Sequence, residues 1–377
     1  MNVWMNSHSP FGRILRGLGR RLQAWGTENP EDNLEKDYRW QDPQNESEAQ
    51  TFLYKRLKHT ANQAKFREIA LVGDNLELTA KLESMLSDEF STECFLSVEE
   101  LVAHLQKEKS DWVIGITSLD AKKIHEIGKE LIAGEQTNSI PFEFAVVPKL
   151  SNRSIDRMWE NSLDFVSPLH SQEVDCFELF EESCRTFEPK TGIRDFMDLV
   201  QGMNQILDRK ISGDVAEFGS FKGQSGYLMA RYLEERKSDK RLFLFDAFES
   251  FPVESIGVDH FWSETHEVDF EDIRKKFDRF DNVSLVKGDF TRTFEESDCR
   301  ELALAFVDCD SYRGTKYLVD QIFGDRLSVG GIMIFEDYGH AGLLGNRVAV
   351  HEAFSSLPNA FCFFSQFSGS YFVCKTD

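Results

Sequence analysis

Val215 to Gly226 reads VAEFGSFKGQSG: a short apolar run closed by an acid, a turn punctuated by Gly219 and Gly223, and a helical pattern that starts near Ser225. A strand that feeds a helix through a glycine turn leaves backbone N–H groups free at the helix start, where an anionic or polar ligand can rest. The turn spells G-S-F-K-G-Q-S-G, which is not the G-x-G-x-x-G of dinucleotide enzymes. A tight strand-to-helix connection and a ligand-bearing turn are both open at this point.

Downstream the pattern repeats. RLFLFD ends a second strand at Asp246, where an acid one βα unit after a glycine turn can bind a ribose hydroxyl. NVSLVKGDF ends a third at Gly288 and Asp289, LALAFVDCD a fourth at Asp308 and Asp310, and, after a turn Val329 to Gly331, GIMIFED a fifth at Glu336 and Asp337. Helices are expected over Ser225 to Glu235 and Arg313 to Phe323, and AFCFF with YFVCK reads as a closing antiparallel hairpin. In an open parallel sheet ligands bind beyond the carboxyl ends of the strands, so Asp308, Asp310, Glu336 and Asp337 would share one edge. Carboxylates crowded there repel unless a cation or a shared proton compensates, and a ligand set of hard oxygens without Cys or His suits Mg²⁺ rather than zinc. Each acid taken singly could be a helix cap or a solvated strand end.

Upstream of the turn, helices are expected over Glu173 to Phe187 and Ile193 to Leu207, placing Phe196, Met197 and Met203 in a lid or, preferably, in the core. From Glu68, strands IALVG, CFLS, DWVIGI, FEFAVV and DFVSP alternate with helices over Leu76 to Leu86, Val98 to Gln106, Ile124 to Ile132 and Ile155 to Trp159. This second α/β pattern resembles receiver (flavodoxin-like) domains. Ile116 and Thr117 stand where such a domain carries its phosphoacceptor Asp, which argues against phosphorylation and for a structural or docking role. Phe52 to Phe66 reads as a leading helix, and Thr27 to Gln50, acidic and nearly free of aliphatics, as a linker. Phe11 to Trp25 carries Arg13, Arg16, Arg20 and Arg21 opposite an apolar stripe. That pattern fits contact with a membrane surface or a partner protein, or docking on the chain's own acidic body, the last being preferred. The expected organisation is thus 1–26 basic helix, 27–51 linker, 52–170 receiver-like domain and 171–377 ligand-binding domain.

The 377 residues carry a net charge of −22, which disfavours nucleic acid as a partner. The chain has no apolar run long enough to span a bilayer, and the polar N-terminus lacks a signal-peptide pattern. Seven cysteines without a C-x-x-C fit neither a disulfide framework nor a zinc knuckle, so a cytoplasmic location is expected.

Taken in order, VAEFGSFKGQSG, LFLFDAFESFP, VSLVKGDFTRTF, FVDCDSYRGTKYLVDQI and GGIMIFEDYGHAG resemble the macrocin O-methyltransferase family, over Ile193 to Asp377. The resemblance implies a Rossmann-like class I methyltransferase domain, with a mostly parallel seven-stranded sheet and a C-terminal antiparallel hairpin. It implies S-adenosylmethionine and Mg²⁺ as cofactors, and transfer of a methyl group to a hydroxyl of a small polyhydroxylated acceptor with vicinal hydroxyls, a sugar or glycoside. The cofactor residues would be Glu217, Gly219, Ser220, Gly223, Ser225, Asp246, Ala247, Asp289 and Asp308; the metal ligands Asp308, Glu336 and Asp337; the catalytic base Asp310, with His340 as second candidate. Tyr338, His260 and Trp262 would be acceptor-wall residues, with Val253 to Asp269 as a lid. The family usually has Asp-Asp where this chain has Glu336-Asp337, and Ser where it has Ala247. The rival reading is a binding or assembly protein on a degenerate methyltransferase fold, recruited through its N-terminal domain; a NAD-dependent oxidoreductase is disfavoured by the turn and the acids. A homo-oligomer is also open.

Overall fold

The computed structural model describes residues 43, 45–105, 111–147, 174–251, 257–262, 266–340 and 343–377, without the side chains of 260–262. The basic segment Phe11 to Trp25, most of the linker, the helix Ile155 to Trp159, the strand DFVSP and part of the expected lid lie outside the described residues. Asp42–Asp377 form one compact unit holding two sheets.

The smaller sheet has the order β2-β1-β3-β4, with β1 Glu68–Val72, β2 Ser91–Phe95, β3 Trp112–Ile116 and β4 Phe142–Glu143, all pairs parallel. Its helices are α1 Glu46–Ala64, α2 Leu76–Leu86, α3 Val98–Leu105 and α4 Ala121–Ala133. Helix α1 starts at Glu46 rather than at the expected Phe52, because Asn45 caps it by accepting from Glu48 N at 3.0 Å and polar residues can form a first turn when a cap satisfies its donors. Leu53 and Leu57 of α1 pack with Ile69, Leu71 and Val113 on one face. Inside, Arg56 pairs with Glu143, whose second oxygen accepts from Thr60 Oγ1 at 2.6 Å, and both charged side chains are almost fully buried. Arg56→Ala is expected to cost about 3–5 kcal/mol, since it strands a buried carboxylate; urea unfolding measures it.

The larger sheet has the order β10-β11-β9-β8-β5-β6-β7. Strands β5 Asp214–Phe218, β6 Leu242–Asp246, β7 Val283–Lys287, β8 Leu302–Val307 and β9 Leu327–Phe335 are mutually parallel; β10 Ala360–Phe364 and β11 Tyr371–Lys375 run antiparallel at the β9 edge. The expected seven-stranded sheet with its closing hairpin is what forms. Beyond a register shift at the start of β8, side chains alternate across it: Val215, Leu304 and Phe306 face one core, Ala216, Phe218, Ala305 and Val307 the other. The first core is covered by α5 Cys176–Thr186, α6 Ile193–Asp208, α7 Gln224–Glu235 and α8 Phe270–Phe277, and it includes Phe196 and Met203. The second is covered by α9 Phe290–Glu296, α10 Tyr312–Ile322 and α11 Leu344–Phe354. The turn expected at Val329 to Gly331 is instead a bulge within β9: the pairing jumps from Leu302↔Leu327 to Leu304↔Ile332, and Gly330 takes φ +81°.

The two sheets share apolar packing through α11. Leu344 and Val348 belong to the same core cluster as Ile114, Ile116 and Phe142 of the smaller sheet, and Leu344 sits directly over Gly128 of α4, where a larger residue would collide with it.

Candidate active site

Strand order reverses between β5 and β8, and the glycine turn lies at that switch point. Asp308 N donates to Phe218 O at 2.9 Å, which ties the two strand ends together. Gly219 adopts φ +98°, and a Cβ there would be built into the Asp308 carbonyl, so no other residue suits the position. Gly223, at φ +85°, caps α7 and closes the turn by donating to Ser220 O at 2.6 Å.

A cleft opens over this junction. Gly219, Asp246, Ala247, Asp289, Asp308 and Asp310 line it, so six of the expected site residues come together. Glu217, Ser220 and Ser225 lie beneath the turn, buried. Neither oxygen of Glu217 nor Ser220 Oγ has a hydrogen-bond partner. Burial pushes the Glu217 carboxyl up to about 7, against the pull of the nearby Ser225 and Ser220 hydroxyls. An orphaned buried acid of this kind matches the ammonium of an amino-acid ligand. Asp246 accepts from Phe221 N at 2.8 Å and Phe248 N at 2.6 Å, bracing two residues held at positive φ while it faces the cleft. Asp289 caps α9 through Thr291 N at 2.9 Å and lines the cleft as well.

Beside the cleft, one oxygen from each of Asp308, Glu336 and Asp337 falls within 4.8 Å of the others. Burial, then mutual repulsion, raises Asp308 and Glu336 well above the usual carboxylate range. Asp337 Oδ2 accepts from Asp310 N and from Asn346 Nδ2, each at 3.0 Å. The donor set and its unrelieved repulsion fit a hard divalent cation; the Glu at 336 still delivers its oxygen to the group. Asp310, in the left-handed region at φ +54°, is itself raised by burial and by Asp337.

His340 is not among the residues that line the cleft. It follows the 3-10 helix Glu336–Gly339, and burial, with the charges of Arg56 and Arg347, holds its imidazole down to about 4. Tyr338 stacks on Tyr371 and donates or accepts at His351 Nε2, 2.6 Å away, facing α11 and the hairpin. His260 and Trp262 have side chains outside the described residues. Among the cleft residues not singled out from the sequence are two that fall within the expected lid Val253 to Asp269: His266, whose Nε2 is 3.6 Å from Asp310 Oδ2, and Asp259, from the 3-10 helix Gly257–Trp262. Burial also holds His266 down to about 4, which favours the neutral imidazole at this contact. No motif marks either residue, since both reach the site from an irregular connection.

The C-terminal half matches the macrocin O-methyltransferase (TylF) family, over residues 186–356. The match indicates an O-methyltransferase of the S-adenosylmethionine-dependent class. No curated protein matches the chain. Among solved structures, the chain is similar to the O-methyltransferase NovP, at 21% identity and TM-score 0.44 over 49% of this chain and 81% of that one. The calicheamicin methyltransferase CalS11 gives 19% and 0.44 over 61% and 95%. An O-methyltransferase from Bacillus cereus in complex with SAH gives 16% and 0.37 over 59% and 100%. No helix among the described residues is long and apolar enough to cross a membrane.

Proposed function

We propose that the protein transfers a methyl group from S-adenosylmethionine to a hydroxyl of a small polyhydroxylated acceptor, a sugar or glycoside, with Mg²⁺ held by Asp308, Glu336 and Asp337. The observation that carries the reading is the convergence of those three carboxylates beside the cleft floored by Gly219 and Asp246, all within the family-matched segment. In this reading Glu217 receives the ammonium of the donor's methionine part, and Ser220, Gly223 and Ser225 shape the turn that holds it. Asp246 anchors the ribose beside Ala247, and Asp289 lies near the adenine. A bound Mg²⁺ supplies neutralisation of the acids and acidifies an acceptor hydroxyl.

Asp310 faces the cleft with a raised carboxyl, suited to accept the hydroxyl proton. The acceptor oxygen then takes the methyl as the donor's sulfur–carbon bond breaks, and the chain's contribution is mainly alignment. His340, which does not line the cleft, is given no part in this reading. Asp310→Asn is therefore expected to lower kcat by about 100-fold or more, and His340→Ala by less than about threefold. The smaller sheet serves as a docking and support module without a phosphoacceptor.

Calorimetric titration with S-adenosylmethionine, with and without Mg²⁺, followed by methyl-transfer assays on sugars and catechols, tests the proposal. Neither binding nor transfer would leave the degenerate-fold binding protein as the surviving reading.

A further inference from the structure

Asp259 is a buried carboxylate that belongs to neither the donor turn nor the metal cluster. Its Oδ1 accepts from Tyr312 N at 2.7 Å and its Oδ2 from Arg313 N at 3.1 Å. These are the first two residues of α10, and Ser311 Oγ takes the third donor, from Gly314 N, at 3.0 Å. A helix start leaves such donors unsatisfied, and a carboxylate there gains both charge-assisted bonds and the favourable end of the helix dipole. Here it is supplied from 53 residues upstream, across the cleft wall.

The loop that Asp259 holds runs from Asp308 to Ser311. Its first residue is pinned by Asp308 N to Phe218 O, its middle by Asp310 N to Asp337 Oδ2, and its end by Asp259. Asp259 in turn is set by the turn that leads into β4 of the smaller sheet. Gly257 N donates to Asn138 O at 2.7 Å, and Gly257 lies so close to Ile140 that a Cβ would be built into the Ile140 carbonyl. Val258 and Tyr312 pack on the core cluster that contains Ile114 and Phe142.

We propose that Asp259 is a positioning residue for the methyl-transfer site, through which the N-terminal four-stranded sheet fixes the loop Asp308–Ser311. The inference rests on the metal and base roles assigned above to Asp308 and Asp310. It makes the smaller sheet part of the active-site scaffold: the sheet holds Asp259, Asp259 holds the start of α10, and the start of α10 fixes the direction in which Asp310 and Asp308 face the cleft.

The full-length chain is compared with Asp259→Ala, Asp259→Asn and Gly257→Ala by amide hydrogen exchange across Asp308 to Gly314, and by calorimetry with Mg²⁺ and with S-adenosylmethionine separately. Where a productive acceptor is in hand, kcat and KM are added. Asp259→Ala is expected to speed exchange at Tyr312 and Arg313 by about tenfold or more. It should also weaken Mg²⁺ binding by about fivefold or more and lower kcat rather than raise KM for the donor, whose affinity stays within about threefold. Asn keeps one acceptor oxygen and falls between Ala and the parent. Gly257→Ala, with Asp259 intact, should reproduce the pattern and also answers the question if Asp259→Ala does not fold. Unchanged exchange in the Asp259 variants, or equal loss of donor and Mg²⁺ affinity with a lowered melting temperature, overturns the proposal. A silent Gly257→Ala overturns the link to the smaller sheet. A parent chain that binds Mg²⁺ but transfers no methyl group overturns the methyltransferase reading instead, and the exchange result still decides the role of Asp259.

Discussion

Asp308→Asn should abolish metal-dependent turnover, lowering kcat by about 1000-fold or more, while S-adenosylmethionine affinity changes by less than about threefold. The asymmetry follows from position. Asp308 donates its backbone N–H to Phe218 and lines the cleft, and Asn preserves both the backbone and one side-chain oxygen, whereas only a carboxylate would neutralise the cation proposed to be shared with Glu336 and Asp337. A second consequence concerns stability. Asp308 is raised well above its unfolded value by burial and by the neighbouring acids. Its contribution is therefore fully present below the unfolded carboxylate pKa and lost as pH rises through the folded one, so at neutral pH the metal-free cluster is under electrostatic load. Removing one charge relieves that load. The metal-free variant should melt at or above the parent's temperature, and added Mg²⁺, which stabilises the parent by mass action, should leave it unmoved. Differential scanning calorimetry with EDTA and with Mg²⁺ reads both effects. Equal loss of donor and metal binding would place the metal site elsewhere.

The parts of this site legible in the sequence are those whose chemistry is local. A strand, its terminal acid and the following helix lie within a dozen residues, so Glu217, Gly219, Asp246, Asp289, Asp308 and Asp337 could each be placed at a strand end from alternation and turn residues alone. Parallel pairing then brings those ends to one edge. What the pattern could not carry is contact between distant segments. Asp259 sits in VDHFW, which has no periodicity, and its partners are 53 and 54 residues away. Helix α11 is not among the expected elements at all, because its buried residues run round the helix rather than along one stripe: Leu344 and Val348 pack with the smaller sheet, Val350 and Phe354 with the larger one, and Asn346 holds Asp337. Closeness in sequence is also a poor guide to direction: His340 stands three residues after Asp337, but the 3-10 turn that ends the acid motif leaves it beside Arg347, which donates to its carbonyl, and not among the residues lining the cleft. The bulge in β9 was hidden for a related reason, since Gly330-Gly331 has the composition of a turn and only pairing with β8 shows that the strand continues.

That interdependence of turn and acid loop sets the expectation for Gly219→Ala. Gly219 is the first residue after β5, its φ of +98° is one that L side chains rarely adopt, and an added methyl group would meet the backbone carbonyl of Asp308 rather than a movable side chain. Relief requires the ends of β5 and β8 to part, which breaks the bond from Asp308 N to Phe218 O at the switch point. Backbone strain and overpacking together should cost about 2–5 kcal/mol, measured by urea unfolding. Donor affinity should fall by about 100-fold, because the same methyl group stands at the cleft floor. Gly330→Ala is the discriminating control. It also substitutes a left-handed glycine, at φ +81°, but its Cβ would meet the Ile211 side chain, which can yield, and it lies outside the cleft. A loss of stability in both variants with a loss of donor affinity only in Gly219→Ala would tie the affinity to the turn itself. Equal affinity in the two would mean that the donor binds away from VAEFGSFKGQSG.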